Sequence, residues 1–268
     1  MTNIETYKLY AIKYATHDRP QRQNFLVPPD PHDAPYPIDY FVWACVSENR
    51  TVIIDTGFDQ AAADARGRTL FRCPAESLNL IGIDPAEVED VVITHMHYDH
   101  GGNLGKFPKA TFHIQDSEMS YITGRYMRYG VLRSSYNPDD VCDLVRNLYK
   151  DRVEFHDGDG ELFPGLSLHH VGGHTHGMMF VRAFTERGWV VLASDAMHLY
   201  ANWQHQNPFP TVLHIGDMLE GHKKVAKLAE TPDHVVPGHD PLVMEYYPAA
   251  SEDLEGIVVR VDLAPTTA

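Results

Sequence analysis

THMHYDHGGN, residues Thr94 to Asn103, packs three histidines and one aspartate into the six consecutive positions 95–100. Packing alone does not ask for that density of ionisable groups. The residues leading in, Val91, Val92, Ile93 and Thr94, are apolar or β-branched and read as a buried strand, and Gly101 and Gly102 end the run with a turn. The ligand-type side chains therefore sit where a strand ends. In extended backbone, residues two apart point the same way, which aims His95 and His97 together. The turn then lets Asp99 and His100 form a second claw beside the first. Two claws suggest two metal ions. A lone His-x-His would carry little weight in a chain with 17 histidines. Asp99, His100 and the glycine pair behind a strand make metal binding the better reading.

The bulk properties are those of an ordinary α/β domain. With 268 residues, 43% hydrophobic and 22% charged, the chain can bury one sizeable core and requires no second domain. A net charge of -15 argues against nucleic acid or an anionic membrane as the main partner, because most of the surface would repel either. Met1 to Glu5 carries no basic leader, and no stretch approaches the ~20 apolar residues of a membrane span, so the expected location is cytoplasmic. Cys45, Cys73 and Cys142 have no CxxC spacing and are expected to be reduced and buried.

Outward from the central stretch, Tyr7–Tyr14 alternates loosely and reads as an edge or surface-facing strand. Tyr40–Val46 and Thr51–Ile54 read as two more, joined by a turn at Ser47, Glu48 and Asn49. Thr16 to Pro37 holds six prolines and reads as a long loop, a site cover or a dimer contact. Asp84-Pro85-Ala86-Glu87 is a helix start. Gln115–Thr123 and Asp139–Lys150 read as helices of an insertion at about 115–150, with Tyr121, Tyr126, Tyr129 and Tyr136 as packing residues first and a candidate aromatic wall second. Gly216–Glu230 reads as an amphipathic helix with Leu219, Val225, Ala226 and Leu228 inward and Lys223, Lys224 and Lys227 on a solvated face.

Four further words stand at strand ends. Asp55-Thr56-Gly57 follows an apolar strand, where Asp55 can close an Asx turn. Gly172-Gly173-His174-Thr175-His176-Gly177 follows the strand Leu166–Val171, and its glycines let the backbone turn and approach closely while presenting one imidazole. Trp189–Ala193 is a buried strand ending in Ser194 and Asp195. His234–Gly238 is a short strand and turn ending at His239.

The run HxHxDH resembles the signature of the metallo-β-lactamase superfamily with every position filled. Asp55, which precedes the run, resembles that family's strand-end Asp supporting the metal-binding histidines, a role compatible with an Asx turn as well. The GHT-x-G word around His174, Asp195 and the Pro-Gly-His word at His239 follow the run in the order that family requires, so the resemblance covers residues 51–241. It implies a four-layer αββα sandwich of the α/β class forming one domain over 1–268, with the Pro-rich loop at 16–37 inside it. It further implies that His95, His97 and His174 hold one ion and Asp99, His100 and His239 the other, with Asp195 bridging. Two divalent cations on nitrogen and oxygen donors suit zinc, with manganese, iron or cobalt as other choices.

Such an ion pair implies hydrolysis by a metal-bridging hydroxide. A lactamase with a cysteine ligand does not fit, because no cysteine stands in a ligand word. A flavodiiron protein would have Glu at the position of His97. A glyoxalase II would add a C-terminal helical domain, where only 29 residues follow His239, and an RNase Z-like nuclease would want a basic face. The chain is most similar to the lactonase branch, which includes N-acyl homoserine lactonases and hydrolases of aromatic-catabolism lactones. Thioester or phosphodiester hydrolysis, or a non-catalytic metal-binding role, are the alternatives. The resemblance assigns Asp99 a second role as the acid that protonates the leaving alkoxide. Many acyl-homoserine lactonases carry Tyr three residues after the bridging Asp; here that position is His198, the candidate replacement, with Tyr200 as another. The expected partner is a small lactone or ester, with a homodimer as the assembly common among relatives.

Overall fold

The structure, a computed structural model, describes residues 4–266; the first three residues of the leader reading therefore lie outside it. Its strands are β1 (Lys8–His17), β2 (Ile38–Val46), β3 (Thr51–Ile54), β4 (Thr69–Leu70), β5 (Asp90–Val92), β6 (Thr111–Gln115), β7 (Val153–His156), β8 (Gly160–Phe163), β9 (Leu166–His170), β10 (Met179–Thr185), β11 (Gly188–Ser194), β12 (Val235–Pro237) and β13 (Val258–Arg260). The first sheet runs β13-β1-β2-β3-β5-β6-β7, with β4 also paired to β1, and the second runs β12-β11-β10-β9-β8. The helices are α1 (Gln60–Arg66), α2 (Asp116–Ile122), α3 (Gly130–Arg133), α4 (Pro138–Leu148), α5 (Tyr200–Gln204), α6 (Ile215–Leu228) and α7 (Leu242–Tyr246).

Alternation along the strands builds four layers. Leu9, Phe41, Trp43, Val52 and Ile54 of the first sheet meet Leu168, Met179, Val181, Val190 and Leu192 of the second in one core between the sheets. The alternate residues Tyr14, Tyr40, Val42, Ile53 and Phe112 face outward and are covered by Leu144 of α4 and the segments before β5. On the far side Phe180, Val191 and Ala193 pack against Val225 of α6. This is the expected αββα sandwich.

Several local expectations are corrected. β1 is neither an edge nor surface-facing, since it pairs with β2 on one side and with β13 and β4 on the other and is buried on both faces. Its loose alternation reflects burial from two sides, which a single-sequence pattern reads as ambiguity. β1 also extends to His17, so the Pro-rich loop pairs at its start, and Phe25 of that loop is buried against His205. Asp84 does cap, accepting from the Ala86 N–H, but only one 3-10 turn follows. The inward stripe of α6 is Met218, Gly221, His222 and Val225. Lys224 is drawn off the solvated face to Asp159 Oδ1 (2.6 Å) and the His170 carbonyl (2.7 Å). Of the three cysteines, all unpaired, only Cys45 is buried and Cys142 is exposed. No helix among the described residues is long and apolar enough to cross a membrane.

Candidate metal centre

The ends of five strands converge at one rim of the sandwich. β3 and β5 run parallel in the first sheet, and β11 and β12 run parallel in the second, with β9 in the same sense two strands over. Every word singled out above follows one of these C-terminal ends. His95, His97, His174 and Asp195 form one buried group and Asp99, His100 and His239 a second, each with ligand-type atoms within 4.8 Å of one another. Asp195 stands between them. Its Oδ2 lies 3.0 Å from His174 Nε2 and 3.8 Å from His95 Nε2, and its Oδ1 lies 3.2 Å from His100 Nε2 and 2.9 Å from His239 Nε2. Asp99 Oδ2 is 3.8 Å from both His100 and His239.

The outer nitrogen of four imidazoles is committed to an acceptor, which fixes the tautomer. His174 Nδ1 donates to the Thr211 carbonyl (2.6 Å) and His239 Nδ1 to the Asp39 carbonyl (2.8 Å). His100 Nδ1 donates to Asp55 Oδ2 (2.7 Å). Thr94 Oγ1 gives its proton to the same carboxylate oxygen (2.8 Å), so at His95 it is Nδ1 that donates to Thr94 (3.2 Å). The inner Nε2 atoms are left as lone pairs. Those of His95 and His100, together with Asp195 Oδ1, are fully enclosed without a hydrogen-bond partner. Buried polar atoms without partners are costly, and a converging set of them is what a cation would satisfy.

The electrostatics agree with that fit. Burial, and then the neighbouring imidazoles, hold His95 and His97 well below the ordinary histidine range and so neutral. Burial would lower His100 and His239 too, but the carboxylates, Asp195 foremost, outweigh it and push both up. Burial would likewise raise the Asp195 carboxyl, yet the surrounding imidazoles, led by His198 and His239, keep it ionised. Positive charge is wanted at this point, as a proton or as a cation. The donor set therefore fits divalent metal.

The family model of the metallo-beta-lactamase superfamily matches residues 39–239, a span that includes all seven of these side chains. The chain belongs to that superfamily. Among known proteins, it is similar to N-acyl homoserine lactonase AttM of Azorhizobium caulinodans, 28% identical over 261 residues that cover 90% of this chain and 95% of that one. AttM of Rhizobium johnstonii is 27% identical over 272 residues, covering 94% and 99%. Among solved structures, an N-acyl homoserine lactone hydrolase with the product N-hexanoyl-L-homoserine bound at its catalytic metal center superposes with a TM-score of 0.72 at 20% identity, covering 90% of this chain and 96% of that one. At that identity the likeness is one of fold.

Around the centre of this superfamily member stands a layer of supports. Asp55 serves His100 and not an Asx turn: Oδ1 accepts the Thr94 N–H (2.8 Å) and Oδ2 serves Thr94 Oγ1 and His100. Asp55 and Ser194 both hold positive φ, 61° and 45°, unusual for residues with a side chain. Ser194 Oγ sits 2.9 Å from Thr94 Oγ1, tying the ends of β5 and β11 together across the sandwich. Glu118 of α2, fully buried, accepts from the Met96 N–H (3.0 Å), Thr175 Oγ1 (2.7 Å) and the Gly177 N–H (2.9 Å). It joins the loop of His95 and His97 to the loop of His174. Gly177 is required here, because a Cβ would lie 2.2 Å from the Glu118 backbone nitrogen. Sequence reading did not find Ser194 or Glu118; a glutamate in the first turn of a short helix looks like any helix start.

His198 also reaches the centre. Its Nε2 is 2.9 Å from Asp195 Oδ2, its ring stacks on Phe209 at 4.1 Å and 6°, and burial is the main effect that lowers it to about 3. Tyr200, in contrast, packs with Tyr246 beside the inter-sheet core and cannot serve as the replacement. Trp203 packs under α6 and His214 caps that helix, while His176 is exposed. Of the four tyrosines of the helical segment, Tyr136 is buried with its ring 4.6 Å from His97 and Tyr121 is buried behind it; Tyr126 and Tyr129 are exposed. Two clefts open onto the histidines. One is lined by Tyr40, Tyr98, Ser135, Phe209 and three arginines, Arg19, Arg66 and Arg68. The other, about 270 Å³, is lined by Tyr121, Val131, Leu132, Pro210, Val212 and Leu213.

Proposed function

We propose that this protein is a dinuclear-metal hydrolase that opens the ring of a lactone, with zinc as the metal best suited to a nitrogen and oxygen donor set. The observation that carries the reading is the convergence of His95, His97, His174, Asp99, His100, His239 and Asp195, with the inner nitrogens of His95 and His100 buried and unpartnered. In this reading the first three histidines hold one ion, Asp99, His100 and His239 hold the other, and Asp195 bridges. When bound, the ions supply a water deprotonated at neutral pH and a Lewis acid for the ester carbonyl.

The chain's own groups do the rest. Asp99 carries a proton to the ring oxygen as the carbonyl carbon–oxygen bond breaks, which spares the leaving group from departing as an alkoxide. His198, held flat by Phe209, orients the ester from the Asp195 side in place of the tyrosine found in many relatives. The cleft beside His97 and His174 is of mixed polarity, and Val131, Leu132, Val212 and Leu213 on its walls would meet the hydrocarbon part of an acyl-homoserine lactone or of an aromatic-ring lactone. The relatives named as N-acyl homoserine lactonases support the same class.

The test is proton release from metal-loaded protein offered acyl-homoserine lactones, simple γ- and δ-lactones, aromatic-ring lactones, an open-chain thioester and a phosphodiester. Turnover confined to lactones is expected, with a large kcat/KM loss in His198→Ala at unchanged metal content. Thioester or phosphodiester turnover with silence on every lactone would overturn the reading.

A further inference from the structure

Arg19, Arg66 and Arg68 line one cleft above the metal centre, in a chain where 37 acidic residues outnumber 22 basic ones. Elsewhere some basic side chains pair with carboxylates, as Arg50 with Glu5, Lys13 with Asp39, Arg260 with Asp262 and Arg22 with Asp33, and others, such as Arg152 and Arg182, are spent one by one on backbone carbonyls away from the centre. The three cleft arginines are held without any carboxylate partner. Arg66 donates to the carbonyls of Ser134 (2.9 Å) and Tyr136 (3.3 Å) and lies 3.9 Å over the Tyr98 ring. Arg68 donates from Nε to Tyr98 Oη (3.0 Å) and from Nη1 to the Arg66 carbonyl (2.6 Å), with His17 Nε2 at 3.1 Å. Arg19 donates to the Gln23 carbonyl and lies 4.8 Å over Phe209, and its Nε is buried with no partner. The carboxylates on the cleft floor, Asp99 and Asp195, face imidazoles instead.

Partly burying three guanidiniums without counter-charge is unfavourable unless something anionic joins them. Burial lowers Arg19, and burial followed by Arg68 and Arg19 lowers His17 to about 4, while at Arg68 burial is outweighed by Tyr40, Tyr98 and the Asp99 carboxylate, which raise it. A neutral donor waits in the same place. Tyr40 Oη and Tyr98 Oη are 3.2 Å apart, so only one of their two hydrogens can lie between them, and Tyr98 already accepts from Arg68. The other phenolic hydrogen is left to give to a ligand.

We infer that this cleft seats a carboxylate carried by the substrate itself, so that the natural substrate is an anionic lactone and not a neutral one. The inference rests on the lactonase reading and narrows it. Water adds across the ring ester, the carbonyl carbon–oxygen bond breaks, the ring oxygen takes a proton, and the product is a hydroxy-dicarboxylate. Its original carboxylate stays on Arg19, Arg66 and Arg68 throughout. Aromatic faces under Arg19 and Arg66 keep two of the guanidiniums in place before the ligand arrives.

The experiment compares kcat/KM of metal-loaded, full-length protein on 5-oxotetrahydrofuran-2-carboxylate and on its neutral 2-carboxamide. The carboxylate is expected to be preferred at least tenfold, with the preference shrinking as ionic strength rises from ~20 mM to ~0.5 M. Arg19→Gln and Arg66→Gln are each expected to lower the preference ratio about tenfold, the loss of one charge-assisted hydrogen bond. Arg19→Lys should keep part of it. Because Arg68→Gln also frees Tyr98, the salt dependence of the unaltered protein provides the readout that misfolding cannot mimic. Equal kcat/KM on the two lactones, or a preference indifferent to salt and to the arginine variants, overturns the inference. If neither lactone is turned over, the lactonase reading is decided separately by the full lactone panel, and calorimetry with the unreactive tetrahydrofuran-2-carboxylate decides the anion site. Binding weakened by Arg19→Gln supports it; absent binding, or binding equal in Arg19→Gln, overturns it.

Discussion

Replacing Glu118 by Gln changes one atom and should loosen the metal centre from a distance. Both carboxylate oxygens of Glu118 act as acceptors: Oε1 takes the Met96 N–H, and Oε2 takes Thr175 Oγ1 and the Gly177 N–H. A glutamine offers one acceptor and one NH2 donor. In one orientation its NH2 faces the Gly177 N–H and in the other it faces the Met96 N–H, so one buried backbone donor is orphaned either way. An orphaned buried donor costs about 1–3 kcal/mol, and relief of the buried charge offsets part of it, leaving about 1.5 kcal/mol. For a chain of this size that is a fall in Tm of about 3–6 °C. Glu118→Ala, which strands these three donors and the Tyr136 hydroxyl 3.5 Å from Oε1, should cost about 3–5 kcal/mol. The two loops that Glu118 joins carry His95, His97 and His174, so metal affinity should fall about tenfold to a hundredfold, as for other supports of metal ligands. Thermal unfolding and competitive metal titration on the same preparations read both effects. If Glu118→Gln melts within ~1 °C of the parent and binds metal equally well, the clamp argument is wrong.

Two further outcomes are expected. Asp55→Ala removes the acceptor of His100 Nδ1, Thr94 N and Thr94 Oγ1, and metal affinity should drop about tenfold to a hundredfold, with Asp55→Asn in between; equal affinity in a competition titration would refute the support role. At the amino-terminal end, the Arg50 side chain, aided by Ser47 and Asn49, draws the Glu5 carboxyl down to about 2 from its ordinary 4.5. A depressed acid contributes its stability above its unfolded value and loses it as pH falls from about 4.5 towards 2. Urea unfolding should therefore show a steeper loss between those values for the parent than for Glu5→Gln, and parallel curves would count against the ion pair.

Much of the candidate centre was legible in the chain because side chains suited to binding metal are placed by local rules. His95, His97, Asp99 and His100 lie within six residues, and the backbone of a strand and a turn is enough to aim them. His174, Asp195 and His239 each sit at the end of an apolar strand beside glycine or a small residue, so type and position could be read singly, and their order carried the resemblance. The four-layer architecture followed from that order, and the parallel strand ends confirm why it works: the same rim gathers what sequence separates by up to 144 positions between His95 and His239.

What the tertiary structure alone decided has no local signature. Glu118, Ser194 and Thr94 become supports because distant loops bring donors to them. Tyr200 is removed from the site and Tyr136 brought into it by the directions in which α5 and the segment before α4 leave their turns. Arg19 belongs to one segment, with Arg22 close by, and Arg66 and Arg68 to another, with Arg72 close by, and in sequence nothing joins the two. Only folding sets them side by side with no carboxylate paired to any of them. The sequence determines which groups can bind a metal, because ligand chemistry and strand-end geometry are local; which charges go unanswered above that metal is a property of the packed chain, because burial and counter-charge are set by neighbours far away in sequence.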